Sequence, residues 1–255
     1  LEKFTKKYKE AFFQDLKTLN IEKAEYYPEA TKHIKQMVEL IEILIKKGYA
    51  YKSIDNSFYF NIKKFKNYGN LSKLKLKKLI AGKRVSQDEY KKSSASDFAL
   101  WKAYSKEDGN VYWLTSLGRG RPGWHIECSA MSMKYLGKHF DIHTGGIDNM
   151  FPHHENEIAQ SEAATGKKFV NYWLHCEHLL VDNKKMSKSL GNFYTLRDLK
   201  KYDSKAIRYI LLASHYRQQL NFKIHSLESA KNSVERIQDF ITNLKSIKSN
   251  KNNPK

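Results

Sequence analysis

Apolar residues recur along this chain at helical spacing near its two ends and at strand spacing in several stretches between. Over residues 1–20, Phe4, Tyr8, Phe12, Phe13, Leu16 and Leu19 follow a period close to 3.6 and predict a helix. A second helix is expected from about Pro28 to Lys47, with Ile34, Met37, Val38, Ile41, Ile43, Leu44 and Ile45 on its apolar side and Gly48 as its stop. Tyr49–Tyr51 and Ser57–Asn61 read as short strands around an Asp-Asn turn. The lysine-rich, weakly apolar stretch 62–96 predicts loop or short helix.

Beyond Ser116 the composition changes. Gly118, Gly120 and Gly123 lie among Arg119, Arg121 and Pro122, a run expected to break regular structure. A helix follows from His125 to Leu136, then a strand over His139–His143, the pair Gly145-Gly146, and a helix opening at Pro152, where proline suits a first turn. Phe169–Trp173 and Glu177–Val181 read as two more strands. From Asp203 onward the pattern is helical, first around Ala206–Leu211 and then from Leu227 to Leu244, before a polar tail, Lys245–Lys255, expected to fray. Strand, glycine-rich turn and helix in that order predict an α/β fold with a parallel sheet, whose sites lie at the strand C-termini.

With 255 residues, 40% of them apolar, the chain can bury the core of one large domain or of two or three small ones. Its formal charge of +19 attracts polyanions, although the strong preference for lysine also fits a proteome-wide bias. Two cysteines, Cys128 and Cys176, make no disulfide framework and suit a reducing compartment. The N-terminal residues lack the apolar core of a signal peptide, and no apolar run approaches the roughly 20 residues a membrane span needs. A cytoplasmic protein with no membrane association is expected.

Two clusters carry chemistry. His153 and Glu157 are four residues apart in Pro-His-His-Glu-Asn-Glu, so on a helix both leave one face, where imidazole and carboxylate can share a cation. Cys128, closing Gly-Trp-His-Ile-Glu-Cys, supplies a thiolate to make a plausible zinc set that lacks a fourth ligand. Spacing alone leaves the plainer alternative open, in which the carboxylates complement a helix dipole and the cysteine fills core. The second cluster is Lys184-Lys185-Met186-Ser187-Lys188-Ser189-Leu190-Gly191-Asn192, whose lysines and serines can hold the triphosphate of ATP. Gly145 and Gly146 permit close approach of a ligand, and Asp148 can accept from ribose hydroxyls.

Lys185–Ser189 matches the KMSKS signature of class I aminoacyl-tRNA synthetases. Gly120–Met131, Phe140–His143 and Phe151–Gln160 resemble blocks of the cysteinyl-tRNA synthetase family, in the same order. The resemblance, running from about residue 1 to 240, implies a Rossmann-like class I synthetase catalytic fold, incomplete here, with a connective insertion and a C-terminal helical bundle. It divides the chain into 1–20, the end of the first half of the nucleotide-binding fold; 21–117, the insertion; 118–176, the second half; 177–202, the KMSKS loop and stem-contact region; and 203–255, the start of the anticodon-binding helices.

By the same resemblance, Cys128, His153 and Glu157 are three of four ligands to a single zinc. Trp124, His143 and His154 line the pocket for L-cysteine. Gly145, Gly146 and Asp148 bind adenosine, and Lys185, Ser187, Lys188 and Ser189 bind the ATP phosphates, with Lys188 acting in catalysis. ATP with magnesium, L-cysteine and the cysteine-specific transfer RNA are the implied partners, and a monomer is expected. The HIGH signature and the fourth ligand, a cysteine just before it, are not in this sequence. The resemblance therefore implies an N-terminal segment missing here and a chain inactive by itself. The rivals are a ligase joining cysteine to an amino sugar and a zinc-stabilised nucleic-acid-binding module without catalysis.

Overall fold

Helical spacing in the first residues becomes α1 (Glu2–Thr18), and the second apolar stripe becomes α2 (Ile34–Lys46). Met37, Val38, Leu40, Ile41 and Leu44 of α2 are all buried, and Gly48 ends the helix in the left-handed region at φ +76°. The helix begins later than the sequence suggests, because Pro28 is followed by a short 3-10 turn, Ala30–Lys32. The computed structural model describes residues 2–73 and 97–247; the expected loop or short helix within 62–96 lies largely outside them, as does the tail beyond residue 247.

Two compact units are formed, one by residues 25–175 and the other by residues up to 24 with those from 176 onward. In the first, β1 (Ala50–Lys52), β2 (Phe58–Phe60), β3 (Phe98–Ala103), β4 (Trp113–Thr115) and β5 (Gly118–Pro122) make an antiparallel sheet in the order β1-β2-β3-β5-β4. The glycine-arginine run expected to break regular structure is thus strand β5. Its glycines are needed for close packing rather than for a turn. A Cβ on Gly120 would stand 2.2 Å from the Lys102 carbonyl oxygen, and one on Gly123 2.0 Å from that of Ala99.

Against this sheet pack α3 (Trp124–Leu136) and α4 (Glu155–Thr165), joining Phe60, Phe98, Leu100 and Trp101 to Ile126, Ala130, Ala159, Ala163 and Ala164 in one core. Small residues on both helices let their backbones come close. β6 (Phe140–Gly146) pairs with β7 (Val170–Cys176). Between β6 and α4 the chain makes a helical turn, is extended at Phe151 (φ −136°, ψ 129°), and makes a wide turn through His154. Regular helix therefore starts at Glu155, not at Pro152.

In the second unit, β8 (Leu179–Val181) lies between β9 (Lys184–Lys185), antiparallel to it, and β10 (Leu220–Phe222), parallel to it. Asp182 and Asn183, at φ +48° and +62°, form the two-residue turn of the β8–β9 hairpin, where a positive φ at both positions matches the strand twist. α5 (Ser204–Leu212) is capped by Asp203, whose Oδ1 accepts from Lys205 N at 2.8 Å, and α6 (Ser226–Ser246) packs beside it. The region after Asp203 is not helical throughout, since β10 separates α5 from α6. The parallel pairing expected from the strand–turn–helix order is seen in β6 with β7, where Phe140, Asp141 and His143 meet Phe169, Asn171 and Trp173 in ascending order, and in β8 with β10, whereas the five-stranded sheet is antiparallel.

Glu155 fastens α4 to the chain leaving β2. Its buried carboxylate accepts from Gly69 N at 2.9 Å, Ser72 N at 2.7 Å and Ser72 Oγ at 3.1 Å, while the neighbouring Asn156 Oδ1 accepts from the Tyr68 hydroxyl. Burial, followed by the charges of Glu155 and Asp97, raises the Tyr68 phenol well above its ordinary value and keeps it a donor. Glu155→Ala strands these donors in the interior and is expected to cost about 3 kcal/mol of unfolding free energy in urea titrations, with Glu155→Gln losing less. Equal stability of Glu155→Ala and wild type would contradict this.

Candidate metal centre and phosphate loop

The packing of α3 on α4 turns Cys128 toward Glu157, and the wide turn before α4 swings His153 onto the same point. One ligand atom from each of the three lies within 4.8 Å of the others. His153 Nε2 stands 3.0 Å from Glu157 Oε1, although His153 precedes the regular helix. Ligands at about 2.0–2.1 Å on tetrahedral corners are themselves about 3.3 Å apart, so this spacing suits two donors to one cation. Glu157 is fully buried, and neither of its carboxylate oxygens has a hydrogen-bond partner. The close imidazole nitrogen touches the carboxylate without hydrogen-bonding geometry. An orphaned carboxylate out of water needs a counter-charge, which a cation supplies.

The thiol of Cys128 is pushed up to about 12, by burial first and then by the charges of Glu157 and Glu127. Groups that keep negative charge off this sulfur are together a donor set for a divalent ion, whose binding releases the thiol proton. His143 Nε2 is 3.8 Å from Glu157 Oε1, and His143, His154 and Glu157 form a second cluster sharing that carboxylate. Cys176 is exposed and joins neither cluster.

Sequence reasoning missed the side chains that hold these groups. The Nδ1 atoms of His125 and His153 are 2.9 Å apart, so one ring donates and the other accepts, which sets how His153 presents Nε2. Gln160 Nε2 donates to the His125 carbonyl at 3.1 Å and to Ser129 Oγ at 3.0 Å, tying α4 to α3 around the site. His154 Nδ1 lies 2.8 Å from His175 Nε2, and Trp173 stacks on His143 with ring centroids 4.6 Å apart. The one available signal was position, since His125 sits inside the Gly-Trp-His-Ile-Glu-Cys block and Trp173 ends an expected strand, with His175 two residues beyond it. Trp124, half-exposed, covers His153 with a ring separation of 4.7 Å.

Gly145 and Gly146 are crowded by the protein itself. A Cβ on Gly145 would stand 2.7 Å from His154 Cε1, and one on Gly146 2.3 Å from Asp148 Oδ1. In the other unit, Asn192 laces the KMSKS loop shut. Its Oδ1 accepts from Ser187 N at 2.9 Å and its Nδ2 donates to the Lys185 carbonyl at 3.2 Å. Ser187 Oγ accepts from Leu190 N and lies 2.9 Å from Ser189 Oγ, while Gly191 takes the left-handed conformation at φ +66°. Lys185 and Lys188 are left at the surface, with Lys188 Nζ 5.5 Å above the Phe193 ring.

Burial, then the neighbouring His143, His175 and His153, pushes His154 down to about 3, and burial lowers His143 and His175 too. Native His154 stays unprotonated where the unfolded chain takes up a proton, so its burial costs stability as pH falls from about 6.5 toward 3. The stability difference between the wild-type chain and His154→Gln, read from urea midpoints without metal, should therefore shrink through that window. A difference independent of pH there would show that the imidazole is not held neutral.

The family described as tRNA synthetases class I (C) catalytic domain matches residues 1–232. A protein of Brachyspira hyodysenteriae named cysteine--tRNA ligase is 60% identical over 99% of this chain and 54% of its own length. One of the same name from Protochlamydia amoebophila is 59% identical over 97% of this chain and 53% of its own. The chain thus spans about half the length of the curated relatives it matches. Among solved structures, methionyl-tRNA synthetase of Mycobacterium tuberculosis in complex with methionyl-adenylate shares the fold at TM-score 0.61 and 14% identity, over 88% of this chain and 54% of that one. The chain belongs to the class I tRNA synthetases, in the family of catalytic domains designated (C).

Proposed function

We propose that this chain supplies the amino-acid-selecting and phosphate-binding parts of a cysteine--tRNA ligase, which joins L-cysteine to its transfer RNA at the expense of ATP. The observation that carries the reading is the buried carboxylate of Glu157, without a hydrogen bond, beside Cys128 and His153. These three residues would hold zinc, with a fourth donor from elsewhere in the protein. When bound there, zinc supplies a soft Lewis acid that favours a thiolate over a hydroxyl, which distinguishes cysteine from serine by bonding rather than by size.

The chain's own residues do the rest. His125 fixes the ring of His153, and Trp124 and His143 border the position where a cysteine side chain would lie. His143, His154 and His175, all lowered by burial, stay neutral near pH 7 and add no repulsion to a cationic site. Gly145, Gly146 and Asp148 are proposed to meet the adenosine. Lys185, Ser187, Lys188 and Ser189 are proposed to hold the triphosphate of magnesium-bound ATP, Lys188 stabilising the charge that grows on pyrophosphate as the cysteine carboxylate attacks the α-phosphate. The cysteinyl group then passes from the adenylate to a terminal ribose hydroxyl of transfer RNA. The extended reading as a cytoplasmic, monomeric enzyme is part of the same proposal, and no helix among the described residues is long and apolar enough to cross a membrane.

In the full-length protein, Cys128→Ser and His153→Ala are expected to lose zinc and cysteine activation together, measured by metal analysis and cysteine-dependent exchange of pyrophosphate into ATP. Lys188→Ala should keep its zinc and slow that exchange on the order of a hundredfold. Full zinc occupancy in either ligand variant would refute the assignment. Labelling of an amino sugar rather than transfer RNA by cysteine would replace the acceptor.

A further inference from the structure

The lysine-bearing hairpin is pinned from behind and from beneath. Its turn residue Asn183 exchanges two hydrogen bonds with Asn221 of β10: Asn183 N donates to Asn221 Oδ1 at 2.8 Å, and Asn221 Nδ2 donates to Asn183 Oδ1 at 2.6 Å. Beyond β9 the chain is again extended at Ser187, with φ −152° and ψ 150°. Side chains alternate along an extended segment, so Met186 faces one way and Lys185 and Ser187 the other. Met186 packs against the core that contains Val181, Leu199, Ile207 and Phe222, which sends Lys185 and Ser187 outward.

Backbone polar groups two residues apart leave a strand on the same edge, so the Lys185 carbonyl and the Ser187 N–H point together. In a hairpin closed by a two-residue turn the flanking pair, Val181 and Lys184, bonds across the ladder, and Lys185 therefore turns its polar groups away from β8. β9 is the outer strand of its sheet, so this edge meets no strand among the described residues. The Asn192 amide takes the place of one. Its Oδ1 accepts from Ser187 N and its Nδ2 donates to the Lys185 carbonyl, because Gly191 at φ +66° turns the chain back toward them. An amide carries the donor and the acceptor together; a carboxylate lacks the donor, and a methyl group lacks both. The ion pairs described in this unit, Arg197–Asp15 and Lys231–Glu235, involve neither Lys185 nor Lys188 and leave both ammonium groups to an incoming anion.

We propose that Asn192 is a positioning residue for ATP, whose amide stands in for a neighbouring strand, fixes the peptide edge from Lys185 to Ser187 and so aims Lys185 and Lys188 at the triphosphate. The inference rests on the proposed cysteine--tRNA ligase reading and deepens it, since Asn192 lies outside the KMSKS signature that holds the phosphate-binding residues named above. Asn192 touches no reacting atom and acts through the lysines, where a misplacement of about 1 Å can cost on the order of a hundredfold in rate. Freedom restored to this edge loosens the phosphates and leaves cysteine recognition, the task of the metal centre, as it was.

The test uses the full-length protein and cysteine-dependent exchange of pyrophosphate into ATP. Asn192→Ala should lower kcat/KM for ATP on the order of tenfold while the KM for cysteine and the zinc content stay at their wild-type values. Asn192→Asp keeps the acceptor for Ser187 N but sets a carboxylate oxygen against the Lys185 carbonyl, and should be at least as slow. Placed in the Lys188→Ala background, Asn192→Ala should cost far less than it does alone, because its effect runs through that lysine. Wild-type kcat/KM for ATP in Asn192→Ala overturns the proposal, as does full activity of Asn192→Asp or strict additivity with Lys188→Ala. A raised KM for cysteine or a loss of zinc in Asn192→Ala overturns it too, by making the amide a general support. Failure of the wild-type protein to exchange pyrophosphate in the presence of cysteine would instead remove the functional reading beneath it.

Discussion

Glu157 sits wholly out of water with neither carboxylate oxygen hydrogen-bonded, and the helices around it are arranged to keep it so. An isolated buried carboxylate costs several kcal/mol unless a counter-charge or a proton relieves it. Ala130 on α3 and Ala159 and Ala163 on α4 let the two helices close around that position, and Gln160 bonds across them. The same closeness brings the sulfur of Cys128 and the imidazole of His153 within reach of one cation. On the proposed reading a metal relieves this geometry, the relation expected where metal binding and folding are coupled.

Electrostatics around this point follow from burial. The protein is strongly basic, yet His143, His154 and His175 are pushed toward neutrality, by loss of solvent first and then by neighbouring imidazoles. Protonated rings in that cluster would compete with a cation for Glu157, whereas neutral rings can bond to each other, as His154 does with His175. Positive charge is left at the surface on the KMSKS loop, where Lys184, Lys185 and Lys188 are exposed.

Much of this was legible in the residues alone. Cys128, His153 and Glu157 could be grouped by residue type and spacing, and the regular helices showed in their apolar period. What escaped depended on contacts between distant segments. His125 and Gln160 act through partners 28 and 35 positions away, and no local spacing encodes that. Glu155 looked like an acidic residue suited to a helix start, yet its carboxylate ties down residues 69–72. The glycines of β5 looked like breakers because glycine usually is one, while here Gly120 and Gly123 answer the approach of a neighbouring backbone. β10, three residues long between two helices, is too short to show a period of two.

Zinc K-edge X-ray absorption of the full-length protein, with and without L-cysteine, examines the centre itself. The expected spectrum has a mixed sulfur and nitrogen or oxygen shell that gains one sulfur on adding L-cysteine and does not change with L-serine. A shell indifferent to cysteine, or one without a histidine signature, would mean that the pocket around Glu157 does not recognise sulfur through a metal.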